Sequence, residues 1–178
     1  MKKNIKEILI KEQDIQDRVL EIAQQISSDY DGKDLLIVCV LKGASVFFAH
    51  LVKSISVPLE IDFISVSSYG HSTQSSGVVR FVKDLEMEIE DKDVLIVEDI
   101  VDTGLTLKYL IDNFSSRKAR TIKVCTLLDK PERRKNDVVM DYVGFIVPDE
   151  FIVGFGIDYA EKYRNLPYIA TLKEEAYK

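Results

Sequence analysis

Seven consecutive apolar residues, Leu35–Leu41 (LLIVCVL), do most to restrict what this chain can fold into. A strand-length run with no polar alternation is what a sheet requires when both of its faces are covered. Ahead of it, Ile15, Val19, Ile22 and Ile26 recur at helical spacing, with Asp14, Gln16, Asp17, Gln24 and Gln25 on the other face. That pattern predicts an amphipathic helix packed on a core and ended by the turn region Ser27–Gly32. Behind the run, Lys42-Gly43 breaks it and Ala44–Ile55 reads as a second helix. Pro58 precedes a strand at Leu59–Val66, and Ser67–Gly77 (SSYGHSTQSSG), almost without aliphatic residues, predicts a mobile loop. Strands are then expected at Val78–Val82 and Val94–Glu98, a helix at Leu105–Phe114 and a strand at Thr121–Leu128. Shorter strands are expected at Tyr142–Val147 and Phe151–Phe155, split by Pro148-Asp149. Strand and helix alternate without repeat or linker, and 178 residues suit one domain, 1–178. The expectation is an α/β fold whose central sheet is mostly parallel and flanked by helices.

Charge and cysteine usage narrow the function. Lys and Arg number 24 against 30 Asp and Glu, a net charge of −6, which argues against broad nucleic-acid binding because that rests on neutralising phosphates. A local basic site remains compatible with it. Cys39 and Cys125 lie in apolar runs with no CxxC and no nearby His, and read as buried thiols. His50 and His71 have no metal-ligand partner at helical spacing. The N-terminal MKKNIKEILIKEQD lacks a long apolar stretch and a small-residue cleavage site, and no segment has the length of a membrane span. A cytoplasmic protein without membrane partners is expected.

In open sheets of this kind, ligands bind outside the carboxyl ends of the strands. The most informative such end is Val94–Leu107, VLIVEDIVDTGLTL. An apolar strand runs into Glu98-Asp99, then Ile100-Val101, then Asp102-Thr103-Gly104-Leu105-Thr106 opening a helix. Gly104 permits a close backbone turn, and the N–H groups at a helix start suit a phosphate. Neither GxxxxGK[ST] nor GxGxxG is present, so triphosphate and dinucleotide loops have no support. Asp102-Thr103 alone could be a helix cap. Combined with the strand and the Glu98-Asp99 pair, which suits sugar hydroxyls or Mg²⁺, the segment points to a ribose-phosphate site.

VLIVEDIVDTGLTL resembles the phosphoribosyl-pyrophosphate signature of the phosphoribosyltransferases of the type I fold. Four further segments, in the expected order from about residue 35 onward, are similar to the hypoxanthine-guanine branch of that family. Leu41-Lys42-Gly43-Ala44 looks like its pyrophosphate loop, although Ser more often follows the Gly. Ser68-Tyr69-Gly70, with Ser76-Gly77, looks like its flexible catalytic loop at about 67–77. Leu128-Asp129-Lys130 resembles its purine-reading segment, and Pro148–Tyr159 with Tyr163–Pro167 its small C-terminal, base-binding hood at about 148–178.

The resemblance implies transfer of the 5-phosphoribosyl group from phosphoribosyl pyrophosphate to hypoxanthine or guanine, with Mg²⁺. Asp102 would be the general acid/base beside the purine, and Glu98 and Asp99 would hold the ribose hydroxyls, directly or through Mg²⁺. Thr103, Gly104, Leu105 and Thr106 would hold the 5′-phosphate. Lys42, Gly43 and Arg164 would take pyrophosphate, with a cis peptide often found at Leu41-Lys42 in relatives. Lys130, a donor-only ammonium, would favour a 6-oxo group over a 6-amino group. Phe151 would stack on the base, the Ile152 backbone would read its edge, and Asp158 would lie near it or hold a second Mg²⁺. Ser68 and Tyr69 would close over the site. On its own, the run Lys130–Lys135 (KPERRK) reads as a solvated basic turn. The family resemblance also implies a homodimer or homotetramer. A xanthine-preferring relative and a phosphoribosyl-pyrophosphate-sensing regulator are the competing readings, the second weakened by the acidic charge and the lack of a helix-turn-helix.

Overall fold

The computed structural model describes residues 2–68 and 79–177. In chain order, β1 (Ile5–Ile10) leads into α1 (Glu12–Asp29), β2 (Leu35–Leu41), α2 (Ser45–Val52), β3 (Glu60–Ser68) and β4 (Val79–Lys83). Then come β5 (Asp93–Val101), α3 (Leu105–Ser116), β6 (Thr121–Asp129), β7 (Tyr142–Ile146), β8 (Ile152–Val153) and β9 (Ile169–Leu172). Six of these strands form the central sheet in the order β4-β3-β2-β5-β6-β7. All its pairings are parallel except that of β3 with β4.

The apolar run at β2 is buried on both sides, as its lack of alternation requires. Ile37 and Cys39 pack in one cluster with Ile15 and Ile22 of α1 and Phe47 and Leu51 of α2. Leu36, Val38 and Val40 join the opposite cluster with Leu107, Leu110 and Phe114 of α3. Fully burying each such side chain contributes roughly 1.5–3 kcal/mol, so the sheet is held from both faces. Both cysteines are buried, and loss of hydration pushes the Cys39 thiol up to about 12 and raises Cys125 as well. No helix among the described residues is long and apolar enough to cross a membrane.

From β2 the chain steps to β3 on one side, and later places β5 on β2's other side. The strand order therefore reverses between β2 and β5, and a crevice is expected outside their carboxyl ends. Those ends are Lys42-Gly43 and the acidic loop. Above them lies a second, antiparallel sheet in the order β1-β9-β8. It differs from the sequence expectation in origin: the hood is built from both ends of the chain, because β1 pairs with β9 along Ile5↔Leu172 and Ile10↔Ile169. Neither β1 nor β9 was expected from local pattern. The Phe151–Phe155 strand shrinks to Ile152–Val153, since Gly154, Phe155 and Gly156 all have positive φ and turn the chain away. Asn4 Nδ2 donates to Tyr163 Oη at 3.0 Å, and Lys173 N donates to Asn4 O at 2.9 Å, tying the two ends together.

Candidate active site

Three adjoining pockets run along the crevice. The first, about 420 Å³, lies between the sheet and the hood and is walled by Asp102, Lys130, Phe151, Ile152 and Asp158. The second, about 90 Å³, is formed by Glu98 and the residues from Ile100 through Leu107. The third, about 220 Å³, is bounded by Lys42, Gly43, Glu98, Asp99, Asp158 and Arg164. Asp102 belongs to the first and second, Glu98 and Thr106 to the second and third, and Asp158 to the first and third. Every expected site residue with a described side chain therefore lines one of these spaces. Tyr69 and the side chain of Ser68 lie outside the described residues.

The small cradle is shaped by a turn that α3 needs in order to start. Gly104 takes φ +78°, a left-handed conformation that L side chains resist, and the helix follows at once. With no acidic residue in its first turn, α3 presents its N–H groups and positive dipole end to the cradle. The loop is clasped from behind by residues that local sequence did not single out. Thr103 O accepts from the backbone N–H groups of Lys135 and Asn136 and from Asn136 Nδ2, each at 3.1 Å. Arg134 Nε donates to Asp102 O at 3.1 Å, while its Nη2 pairs with the buried Asp129 carboxylate. So Lys130–Lys135 is not merely a solvated turn. Its Arg134 is folded back against the phosphate loop, with only 17% of its side chain exposed. Asn136, just past the run, was overlooked because neither periodicity nor charge marks it.

At the carboxyl end of β5, Glu98 and Asp99 are half-buried side by side. Loss of hydration, reinforced by the Asp99 charge, pushes the Glu98 carboxyl well above the usual carboxylate range. Burial likewise takes Asp99 up to about 6, although the Ile100 N–H donates to its Oδ1 at 2.7 Å. Gly43 is required opposite: a Cβ there would collide with the Asp99 carboxylate. The Leu41-Lys42 peptide is cis.

Among the described residues, no three His, Cys, Asp or Glu side chains converge into a cage for a metal ion. The donor set nonetheless fits Mg²⁺, which is usually held by one or two carboxylates together with substrate phosphates. Glu98 and Asp99 supply such a pair in a place where their charge is poorly solvated. Asp158, across the pocket, already has an ion pair with Arg164 Nη2 at 2.8 Å.

In the large pocket, buried Lys130 donates from Nζ to Glu150 O at 2.6 Å and lies 3.7 Å from Asp149 Oδ1. Burial lowers its pKa, with the Asp149 charge opposing. Phe151 is 37% exposed, and its ring stacks on Tyr177, centroids 4.6 Å apart at 18°. Arg133 Nε lies 2.9 Å from Asp102 Oδ1 without hydrogen-bonding alignment, and that oxygen is otherwise unpartnered. Tyr177 and Arg133 are further pocket residues that the sequence left unassigned; an aromatic near the C-terminus and one arginine within a basic run carry no local signal.

A space sized for a flat heterocycle, a helix-start cradle and a cationic pocket, joined through shared carboxylates, can hold a base, a sugar phosphate and a second phosphate group in one line. Comparison with known proteins gives the family. The family model described as phosphoribosyl transferase domain matches residues 6–160. The hypoxanthine-guanine phosphoribosyltransferase of Streptococcus thermophilus (strain CNRZ 1066) is 55% identical over 177 residues, 99% of this chain and 98% of that one. The enzyme of the same name from Bacillus subtilis (strain 168) is 54% identical with the same coverage. The crystal structure of a hypoxanthine phosphoribosyltransferase from Staphylococcus aureus superposes with a TM-score of 0.97 at 51% identity, covering 100% of this chain and 97% of that one.

Proposed function

The chain belongs to the phosphoribosyltransferase family, and from that premise we propose how its crevice works in purine salvage. It is an enzyme that transfers the 5-phosphoribosyl group from phosphoribosyl pyrophosphate to hypoxanthine or guanine, giving IMP or GMP and pyrophosphate. The observation that supports the assignment of groups is the sharing of Asp102 between the large pocket and the cradle. One carboxylate is thereby within reach of a base on one side and a ribose 5-phosphate on the other.

Backbone N–H groups from Thr103 to Thr106, with the two threonine hydroxyls, hold the 5′-phosphate. Glu98 and Asp99 accept from the ribose hydroxyls or hold Mg²⁺, with Asp158 on the far side of the same pocket. Bound Mg²⁺ supplies positive charge against the phosphates and relieves the poorly solvated carboxylates. Lys42, Gly43 and Arg164 receive the pyrophosphate, Arg164 through its planar fork. Lys130 donates to the 6-oxo group, Phe151 stacks on the ring, and the Ile152 backbone reads its edge.

As the bond from the anomeric carbon to the pyrophosphate oxygen breaks, its electron pair leaves with pyrophosphate. A purine ring nitrogen forms the new bond to that carbon, and Asp102 exchanges the proton at nitrogen 7. The fixed N–H groups and cations are aimed where phosphate charge resides throughout, and so need little reorganisation. Ser68 and Tyr69 exclude water during transfer. The enzyme acts in the cytoplasm as a homodimer or homotetramer.

The test is nucleotide formation from phosphoribosyl pyrophosphate and Mg²⁺ with hypoxanthine, guanine, xanthine and adenine in parallel. Turnover of the 6-oxopurines with adenine rejected is expected. Turnover of adenine at a comparable rate would remove the role given to Lys130, and no turnover with any base would overturn the assignment.

A further inference from the structure

Both cations assigned to pyrophosphate already share a carboxylate, that of Glu161, and Arg164 pairs with Asp158 as well. Glu161 Oε1 lies 3.2 Å from Lys42 Nζ, and its Oε2 lies 3.1 Å from Arg164 Nη2. Lys42 and Glu161 are separated by 119 positions, so the contact joins the carboxyl end of β2 to the hood. The glutamate is held there by its backbone. Glu161 takes φ +60° inside a turn closed by Tyr159 and Lys162, whose backbone groups exchange hydrogen bonds at 3.0 and 3.1 Å. Its N–H donates to Asp158 Oδ2 at 2.8 Å. Arg164 is oriented as well, since its Nη1 donates to Gly156 O at 2.9 Å. An exposed carboxylate is thus presented to two cations at the rim of the pocket they bound.

We propose that Glu161 is a built-in competitor for the pyrophosphate subsite, a carboxylate that occupies Lys42 and Arg164 until a diphosphate displaces it. This rests on the reading of that pocket given above. A diphosphate carries more charge than one carboxylate and can satisfy the guanidinium fork from several oxygens, so it prevails over Glu161. Once displaced, Glu161 remains tethered beside a ligand of like charge. It therefore weakens the hold on pyrophosphate and reclaims the cations as the product leaves. Affinity at this subsite is set by the difference between two anions rather than by the cations alone.

The experiment is calorimetric titration of inorganic pyrophosphate with Mg²⁺ into the wild-type protein, Glu161→Gln, Lys42→Ala and Glu88→Gln. The last removes the charge of an exposed acid on the β4–β5 connection and controls for net charge. Glu161→Gln is expected to lower the Kd roughly three- to tenfold at low salt, with the gain shrinking in about 0.5 M NaCl as screening takes over. It also lowers KM for phosphoribosyl pyrophosphate, and lowers kcat wherever product release limits turnover. An unchanged or weaker affinity, or a gain equal to that of Glu88→Gln, overturns the competitor role. If wild-type protein binds no pyrophosphate, or Lys42→Ala binds it as well as wild type, the reading of the pocket fails and the inference falls with it.

Discussion

The two ends of β5 both carry acids, and the fold treats them in opposite ways. At the amino end, buried Asp93 accepts from Arg120 Nη2 and Thr121 Oγ1, both at 2.6 Å, and the arginine holds its carboxyl below the usual range. At the carboxyl end, no cation among the described residues lies within ion-pair distance of Glu98 or Asp99, and burial raises both. One strand therefore has an end that is fully paired and an end left in need of a partner. An unpaired, poorly solvated carboxylate is costly, so it persists where a ligand is expected to complete it. The comparison separates what holds the sheet together from what waits for substrate.

The largest effect should come from Asp102, which follows β5 directly. Asp102→Asn is expected to lower kcat roughly 10²–10⁴-fold, with KM for both substrates little changed, because shape survives and proton exchange does not. Steady-state kinetics with hypoxanthine checks this, and an unaltered kcat would remove the acid/base role. Arg134→Ala should weaken the site from behind by leaving the Asp129 carboxylate buried without its cation. A loss of about 3–5 kcal/mol in urea unfolding is expected, together with a raised KM for phosphoribosyl pyrophosphate as the clasp on Asp102 and Thr103 loosens. A stability change under about 1 kcal/mol would show that the clasp does not hold the loop.

Smaller effects test the two ends of β5 against each other. Asp93→Asn should cost about 1–2 kcal/mol at pH 7, from weakened charge-assisted hydrogen bonds. Because the native carboxyl titrates below its ordinary 3.8, this contribution is complete above about pH 4 and fades as the pH falls through the native value. Urea midpoints of mutant and wild type should therefore converge in acid. Asp99→Asn should do the reverse, stabilising by about 1–2 kcal/mol at pH 7. The native Asp99 value, about 6, lies above 3.8, so the cost of its charge appears as pH rises between those values and the mutant's advantage vanishes below them. If both variants shift stability in the same direction, the contrast between the ends is wrong.

Local pattern carried the central sheet well, because a strand covered on both faces must be apolar throughout. The run at β2 and the acidic loop after β5 announce themselves for that reason. Pattern carried the hood poorly. Its strands are short, β8 has two residues, and the chain between β8 and β9 is a series of turns with positive φ at Phe155, Ala160, Glu161 and Tyr163. Periodicity cannot emerge from two residues, and non-glycine side chains at positive φ give no compositional warning.

The sequence by itself determined the α/β class, the placing of the site at strand ends, and the chemical kinds of residue gathered there. Those depend on burial periodicity and on short contiguous motifs. Tertiary structure alone decided that β1 completes the hood, that Arg134 and Asn136 brace the phosphate loop, and that Glu161 spans Lys42 and Arg164. Arg134 reaches Asp102 across 32 positions, and Asn4 reaches Tyr163 across 159. A side chain's type limits what it can bond to, but which group stands opposite is set by how the chain closes on itself.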